Sequence, residues 1–198
     1  MRRFVFVLLA GLGSAAAACN GSEMRAENGP ARAGNILSRD EALRRFQLKL
    51  PPVTKLEGPH TSRDSLMTAF VRALGDRDTA ALASMAVSAA EFGYLYYPTT
   101  PQSLPPYDLE PALMWHMLWQ RSEQGIRRVL ARYGGQQLQL LGHDCGQDSS
   151  REGENTIVGP CVLRLRDERG HPLSLELPSQ VIERAGRYKV LSYANRLD

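Results

Sequence analysis

The sequence lacks the short motifs by which many enzymes are recognised. Its 198 residues contain no G-x-S-x-G elbow, no H-E-x-x-H pair, no C-x-x-C spacing and no phosphate-cradling glycine loop. The four histidines, His60, His116, His143 and His171, lie in unrelated segments. We therefore expect no cofactor, no metal site and no catalysis that depends on these histidines or on Asp144. The sequence favours a non-enzymatic role without deciding the question.

A strong charge of one sign is also missing. The formal net charge is +3. Two of the positive charges, Arg2 and Arg3, lie in a segment that we expect to be removed and that has no acidic residue, so the remaining chain carries +3 minus 2, or +1. The other arginines alternate with acidic residues, as in residues 164–169. This mixed surface predicts no nucleic-acid partner.

The N-terminus contains an uninterrupted apolar run, and that run is short. Arg2 and Arg3 precede the apolar residues 4–10, and small residues fill most of positions 11–18. This three-part pattern predicts a secretory signal peptide over residues 1–18, because the run is too short for a permanent transmembrane helix. A buried N-terminal helix of the fold is the alternative.

The end of this segment, Ala16-Ala17-Ala18-Cys19, resembles the lipobox of bacterial lipoprotein precursors, with Ala16 where Leu is usual. The resemblance implies acylation of Cys19, cleavage before it and attachment to a membrane through the lipid. Asn20 stands where an inner-membrane retention signal has Asp, so the implied location is the cell envelope, facing the periplasm or exterior, with the outer membrane favoured if the organism has one. The alternative is ordinary cleavage at the A-x-A run, which leaves Cys19 a plain thiol.

Residues 19–60 are predicted to be a mostly flexible tether with one short helix. The pattern Ser38-Arg39-Asp40-Glu41 is typical of a capping box, and Pro51 and Pro52 end any helix that follows. Residues 61–198 form the predicted domain. It begins with helices over about 61–75, 76–85 and 109–133, while the aromatic stretch 91–98 fits either a helical turn or a short strand.

The rest of the chain alternates like antiparallel strands. We expect four of them, near 138–145, 156–166, 173–183 and 187–194, in a single meander, with a polar loop over 146–155 and a bend at Pro178 in the third strand. Helices followed by such a sheet predict an α+β fold, with the N-terminal helices packed on a curved four-stranded antiparallel sheet.

Two stretches carry a resemblance to the NTF2-like group over residues 61–195. They are the helical pair around residues 70–76 and 80–82, and the closing strand 186–192. The resemblance implies a cone in which the sheet wraps a long helix. The group includes enzymes with Asp, Tyr or His inside the cone, but none of their site motifs can be placed in this sequence. A cystatin-like arrangement is the structural alternative.

Two cysteines remain once Cys19 is set aside. Cys145 and Cys161 would face each other across a hairpin centred near Gly153, and an exported chain meets oxidising conditions. A disulfide is therefore expected, with two buried free thiols as the alternative. On the chain-entropy model such a bond stabilises the fold by roughly 3 kcal/mol.

Aromatic residues supply the remaining candidate site. We expect a pocket wall or interaction patch at Tyr94, Tyr96, Tyr97, Trp115 and Trp119, with core packing as the alternative. The predicted function is a lipoprotein domain that binds a small apolar ligand or an envelope protein. A cone-pocket enzyme of isomerase, dehydratase or hydrolase type is the second hypothesis, and a structural envelope accessory is the third.

Overall fold

A computed structural model describes residues 37–146 and 149–195. The expected signal peptide, Cys19 and the first part of the tether lie outside the described residues. None of the helices within the described ranges combines the length and apolar character needed to cross a membrane.

The helices are α1 (Arg39–Gln47), α2 (Arg63–Gly75), α3 (Thr79–Met85), α4 (Ala89–Glu91), a π-helical turn (Phe92–Tyr96), a 3-10 turn (Pro101–Ser103) and α5 (Pro111–Tyr133). The strands are β1 (Gln139–Asp144), β2 (Ser149–Glu152), β3 (Asn155–Val158), β4 (Val162–Arg166), β5 (Pro172–Glu176), β6 (Gln180–Arg184) and β7 (Arg187–Ser192).

Side-chain caps start helices α2 and α3. Ser62 accepts a hydrogen bond from the Ser65 amide, and Asp78 accepts one from the Ala81 amide. These contacts satisfy backbone donors that have no partner inside the helix. The predicted capping box of α1 is only half formed, because Ser38 accepts from the Glu41 amide while the Glu41 carboxylate binds arginines instead.

The expectation of one four-stranded sheet is wrong, although the α+β class and the antiparallel pairing are confirmed. The strands form two antiparallel sheets, ordered β1-β4-β5 and β2-β3-β6-β7. The predicted strand 156–166 breaks at Gly159-Pro160, and the predicted strand 173–183 breaks near Pro178. Proline cannot donate to a sheet ladder, so both positions end a strand. Part of the segment 146–155, which was predicted to be a loop, forms strand β2, and β2 lies at an edge of the four-stranded sheet.

The two breaks lie side by side. The Cys161 amide donates to the Pro178 carbonyl over 3.0 Å. Gly159 has a φ of +147°, and a Cβ there would stand 2.2 Å from the Ser179 carbonyl oxygen. Only glycine fits this approach. The chain therefore crosses between the two sheets twice at the same bend.

Both faces of the four-stranded sheet are covered. Neighbouring residues of β6, Val181 and Ile182, belong to two different apolar clusters, and so do Val190 and Leu191 of β7. The first cluster contains the buried faces of α2 and α3 and the C-terminal half of α5. The second contains Leu56, the aromatic turn and the N-terminal half of α5. Packing within the second cluster buries most of the aromatic side chains and leaves few of them exposed to solvent.

Candidate interaction surface

The aromatic turn is packed around Phe92. This ring is fully buried, and its centroid lies 5.4 Å from Trp115, 5.7 Å from Phe46, 5.8 Å from Tyr97 and 6.0 Å from Tyr96. These are normal distances for aromatic pairs in a core. The Tyr97 amide donates to the Phe92 carbonyl over 2.8 Å, five residues back, which defines the π-helical turn. The segment left open by the sequence is therefore helical.

The tyrosine hydroxyls hold neighbouring segments in place. Tyr97 donates to the Leu109 carbonyl over 2.8 Å, and the Tyr96 hydroxyl accepts from Thr100 over 3.3 Å. Burial raises the pKa of Tyr96 to about 12 and also raises the pKa of Tyr97. Tyr94 is half-buried, and its hydroxyl reaches the Gln47 carbonyl over 3.4 Å. These three side chains therefore pack in the core, and their hydroxyls contact neighbouring segments rather than solvent.

The two tryptophans have different surroundings. Trp115 is half-buried against Phe92, whereas Trp119 is 47% exposed. Of the five aromatic candidates, Trp119 alone offers a large exposed surface.

Other exposed apolar side chains lie close to Trp119 in the chain. Leu104 is 45% exposed, Tyr107 63% and Leu113 48%. We call these three residues and Trp119 the 104–119 surface. They account for four of the seven exposed large hydrophobic side chains in the ranges that the structure describes. Large apolar side chains exposed within one short stretch of chain make that stretch a candidate contact site.

A sequence signal for this surface exists. His116 is the only polar side chain between Pro111 and Trp119. A surface helix normally has a polar face, so two turns with a single polar side chain indicate apolar contacts over more of the helix circumference. The half-buried side chains Met114, Trp115 and Leu118 pack on the second cluster, which leaves Leu113 without an apolar partner in the core.

A buried ion pair lies at the N-terminal end of the aromatic turn. The Lys189 ammonium donates to Glu91 Oε2 over 2.8 Å, and the two side chains are 8% and 1% exposed. Glu91 also accepts the amides of Ser88 and Glu57, each over 2.7 Å. Burial lowers the pKa of the nearby His60, and the charge of Lys189 lowers it further. Every oxygen of Glu91 is thus engaged in holding α4, β7 and the 53–60 segment together.

The second polar cluster surrounds the disulfide. Cys145 and Cys161 are bonded and buried, at the ends of β1 and β4. The expected single hairpin does not form. The cysteines lie beside the paired strands β1 and β4, and the β2–β3 hairpin, with its turn at Gly153-Glu154, is inserted between them in the chain. His143 lies beside the bond, with Nδ1 3.8 Å from Cys145 Sγ and Nε2 2.8 Å from Asp64 of α2.

This cluster offers no nucleophile in the described structure. Both sulfurs are consumed by the disulfide and shielded from solvent, and only a thiolate attacks. The sequence did not pair His143 with Asp64, because the two are 79 residues apart and belong to different elements.

Beside Asp64, an open groove of about 580 Å³ follows the outer side of α2 and α3. Its polar lining is Asp64, Ser65, Thr68, Arg72, Asp76 and Asp78. Arg72 and Asp76 form an exposed ion pair at 3.6 Å. Within the described parts of the chain, no group of three or more His, Cys, Asp or Glu side chains converges as metal ligands would.

Compared with models of known protein families, with curated proteins and with solved structures, the chain matches none.

Proposed function

We propose that this chain is an exported lipoprotein, anchored through Cys19, whose NTF2-like α+β domain is a non-enzymatic binding module. The 104–119 surface is its contact site. The observation that carries the proposal is the exposure of Trp119, Leu113, Tyr107 and Leu104 directly beside an aromatic cluster that is itself filled. The anchor rests on the signal-peptide pattern and on Ala17-Ala18-Cys19.

Binding is favoured over catalysis by the state of the ionisable groups. The buried carboxylate Glu91 accepts two amides and one ammonium, so both of its oxygens are bound to structural partners. Tyr96 and Tyr97 use their hydroxyls on Thr100 and Leu109. A reactive site requires groups that converge on open space, whereas each of these groups is bound to its own structural partner.

The anchor is tested by metabolic labelling. Cells that express the chain and receive a labelled fatty acid should transfer the label to the protein, and Cys19→Ser should abolish the transfer. A mature protein that is unlabelled, soluble and begins after Cys19 contradicts the lipoprotein assignment.

The contact surface is tested by oxidative footprinting of Trp119, Tyr107 and Leu113. We expect these side chains to be modified less in intact envelopes than in the purified, detergent-solubilised protein, because the surface is occupied in the cell. Leu141 on β1 is the matched control, since it is 46% exposed and lies outside this surface. Equal modification of Trp119 in both preparations would show that the surface is unoccupied.

A further inference from the structure

We propose that the 104–119 surface rests on the interfacial layer of the bilayer that holds the anchor. This inference depends on the lipid anchor proposed above and names the occupant of that surface. Three observations support it: the length of chain between Cys19 and the domain, the place where that chain enters the domain, and the chemistry of the exposed side chains.

The connection to Cys19 is short. Seventeen residues, 20–36, separate Cys19 from Leu37. Even a fully extended chain of this length reaches no further than about 60 Å. An anchored domain is therefore held close to the membrane, and a contact that is weak in solution becomes intramolecular.

The connection enters the domain beside the 104–119 surface. Arg39, two residues after Leu37, donates to the Pro98 carbonyl over 2.7 Å and to Ser103 Oγ over 3.1 Å. Ser103 directly precedes Leu104. Farther along α1, Leu43 and Phe46 pack in the same cluster as Trp115 of α5. The start of the domain is thus fixed next to the loop that carries Leu104.

One further apolar side chain lies at the end of α1. Leu48 is 69% exposed and is followed by Lys49. Lysine beside an apolar anchor is common at membrane interfaces, because its ammonium reaches the headgroups.

The exposed side chains suit the interfacial layer. Tyr107 and Trp119 combine an apolar ring with a polar group, the combination enriched at membrane–water boundaries. Residues 104–121 contain Asp108, Glu110 and Arg121 as their charged side chains, a net charge of −2 plus 1, or −1. Residues 104–121 thus offer no cluster of positive charge to anionic lipid, and we expect contact to depend mainly on apolar burial together with the anchor.

The test uses Trp119 emission in vesicles of phosphatidylcholine brominated in its acyl chains. Protein is extracted from the membranes of expressing cells, its lipidation is measured by intact mass, and it is reconstituted into the vesicles. In the Trp115→Phe variant we expect Trp119 emission to shift to the blue and to be strongly quenched by the brominated lipid. In the Trp119→Phe variant, the half-buried Trp115 should be quenched much less.

A matched pair of variants sharpens the result. Leu113→Asp, made in the Trp115→Phe background, should reduce the quenching of Trp119, whereas Leu141→Asp should not. Raising the salt concentration should leave the quenching unchanged, because charge does not drive the contact.

Three outcomes overturn the inference. Unquenched Trp119 in vesicles, with protection retained in intact envelopes, assigns the surface to a protein partner. A blue shift of Trp119 emission that grows with the protein-to-lipid ratio, without quenching by the brominated lipid, assigns the surface to a second copy of the chain. Unquenched Trp119 without protection in envelopes leaves the surface unoccupied.

The anchor and the contact can fail separately. If intact mass shows no acyl group, Cys19 can be coupled to a maleimide lipid, since the other two cysteines are in the disulfide. Quenching of Trp119 in that preparation supports the contact even where the natural anchor is disproved, and its absence overturns the contact alone.

Discussion

The same four-residue pattern, Ser-x-x-Glu, begins α1 and α4, with different results. In both, the serine hydroxyl accepts the glutamate amide, over 3.3 Å at Ser38 and 3.1 Å at Ser88. Glu91 completes the box by accepting the Ser88 amide, whereas Glu41 turns away to Arg44 and Arg45, over 2.8 and 2.6 Å. Glu91 is buried and Glu41 is partly exposed to solvent.

The difference shows that nearby cations decide how such a pattern is used. Arginines three and four residues after Glu41 lie on the same side of α1, so they capture its carboxylate. The residues that follow Glu91 are Phe92, Gly93, Tyr94 and Leu95, and none of them is charged. Glu91 instead meets backbone amides and a lysine from a distant strand. A local pattern thus sets which hydrogen bonds are available, and its neighbours select among them.

The largest expected effect comes from Glu91→Ala. The substitution leaves the Lys189 ammonium buried without a partner and removes the acceptor of two amides, so we expect a loss of about 3–5 kcal/mol in the free energy of unfolding. Urea unfolding followed by circular dichroism measures it. The double variant Glu91→Leu/Lys189→Met should recover part of the loss, because no charge is left buried. A Glu91→Ala protein as stable as wild type would mean that water reaches the pair.

The sequence predicts features that depend on residues close together in the chain, and it does not predict contacts between distant elements. The helices over about 61–75 and 76–85 follow from local periodicity, and both are confirmed. The Cys145–Cys161 disulfide is also confirmed, although its cysteines lie beside the paired strands β1 and β4 rather than on two strands of one hairpin. The division into two sheets was missed because the strand pattern continues through Pro160, although proline there could have indicated a break. The pairs Glu91–Lys189 and His143–Asp64 join distant elements, and no local pattern indicates them.

The candidate surface was found only in part. Trp119 was among the predicted residues, whereas Tyr96 and Tyr97 of that set are buried. Leu104, Tyr107 and Leu113 were missed because an isolated leucine or tyrosine is common both in cores and on surfaces. The one available signal is that residues 111–119 contain a single polar side chain, His116.

A smaller effect is expected when the serines are replaced. Ser88→Ala removes the hydroxyl acceptor at the start of α4, which continues directly into the buried aromatic turn, and we expect a loss of about 1 kcal/mol. Ser38→Ala should change global stability less, because the end of α1 can open locally without unfolding the domain. Hydrogen exchange should therefore report Ser38→Ala mainly in α1. Equal global losses in the two variants would remove the distinction between the sites.

The smallest expected effect is a change in the stability of the fold at acid pH. Hydrogen bonds from Arg44 and then Arg45 lower the pKa of Glu41 from 4.5 to about 2. A carboxyl whose folded pKa is depressed stabilises the fold above its unfolded pKa, and that contribution is lost as the pH falls from about 4.5 through about 2. Titration of the Glu41 carboxyl carbon by NMR should give the low value, and Arg44→Gln should move it back toward 4.5. A midpoint near 4.5 in the wild type would mean that the arginines are not held.

The disulfide at the bend has a mechanical consequence for an anchored chain. Cys145 and Cys161 are 16 positions apart, and the whole β2–β3 hairpin lies between them. If the domain is pulled between Cys19 and its C-terminus, tension passes across the bond and leaves the hairpin out of the load path. The oxidised chain should therefore unravel to a contour length about 50 Å shorter than the reduced chain. The edge strand β2 would carry no load until the bond is broken.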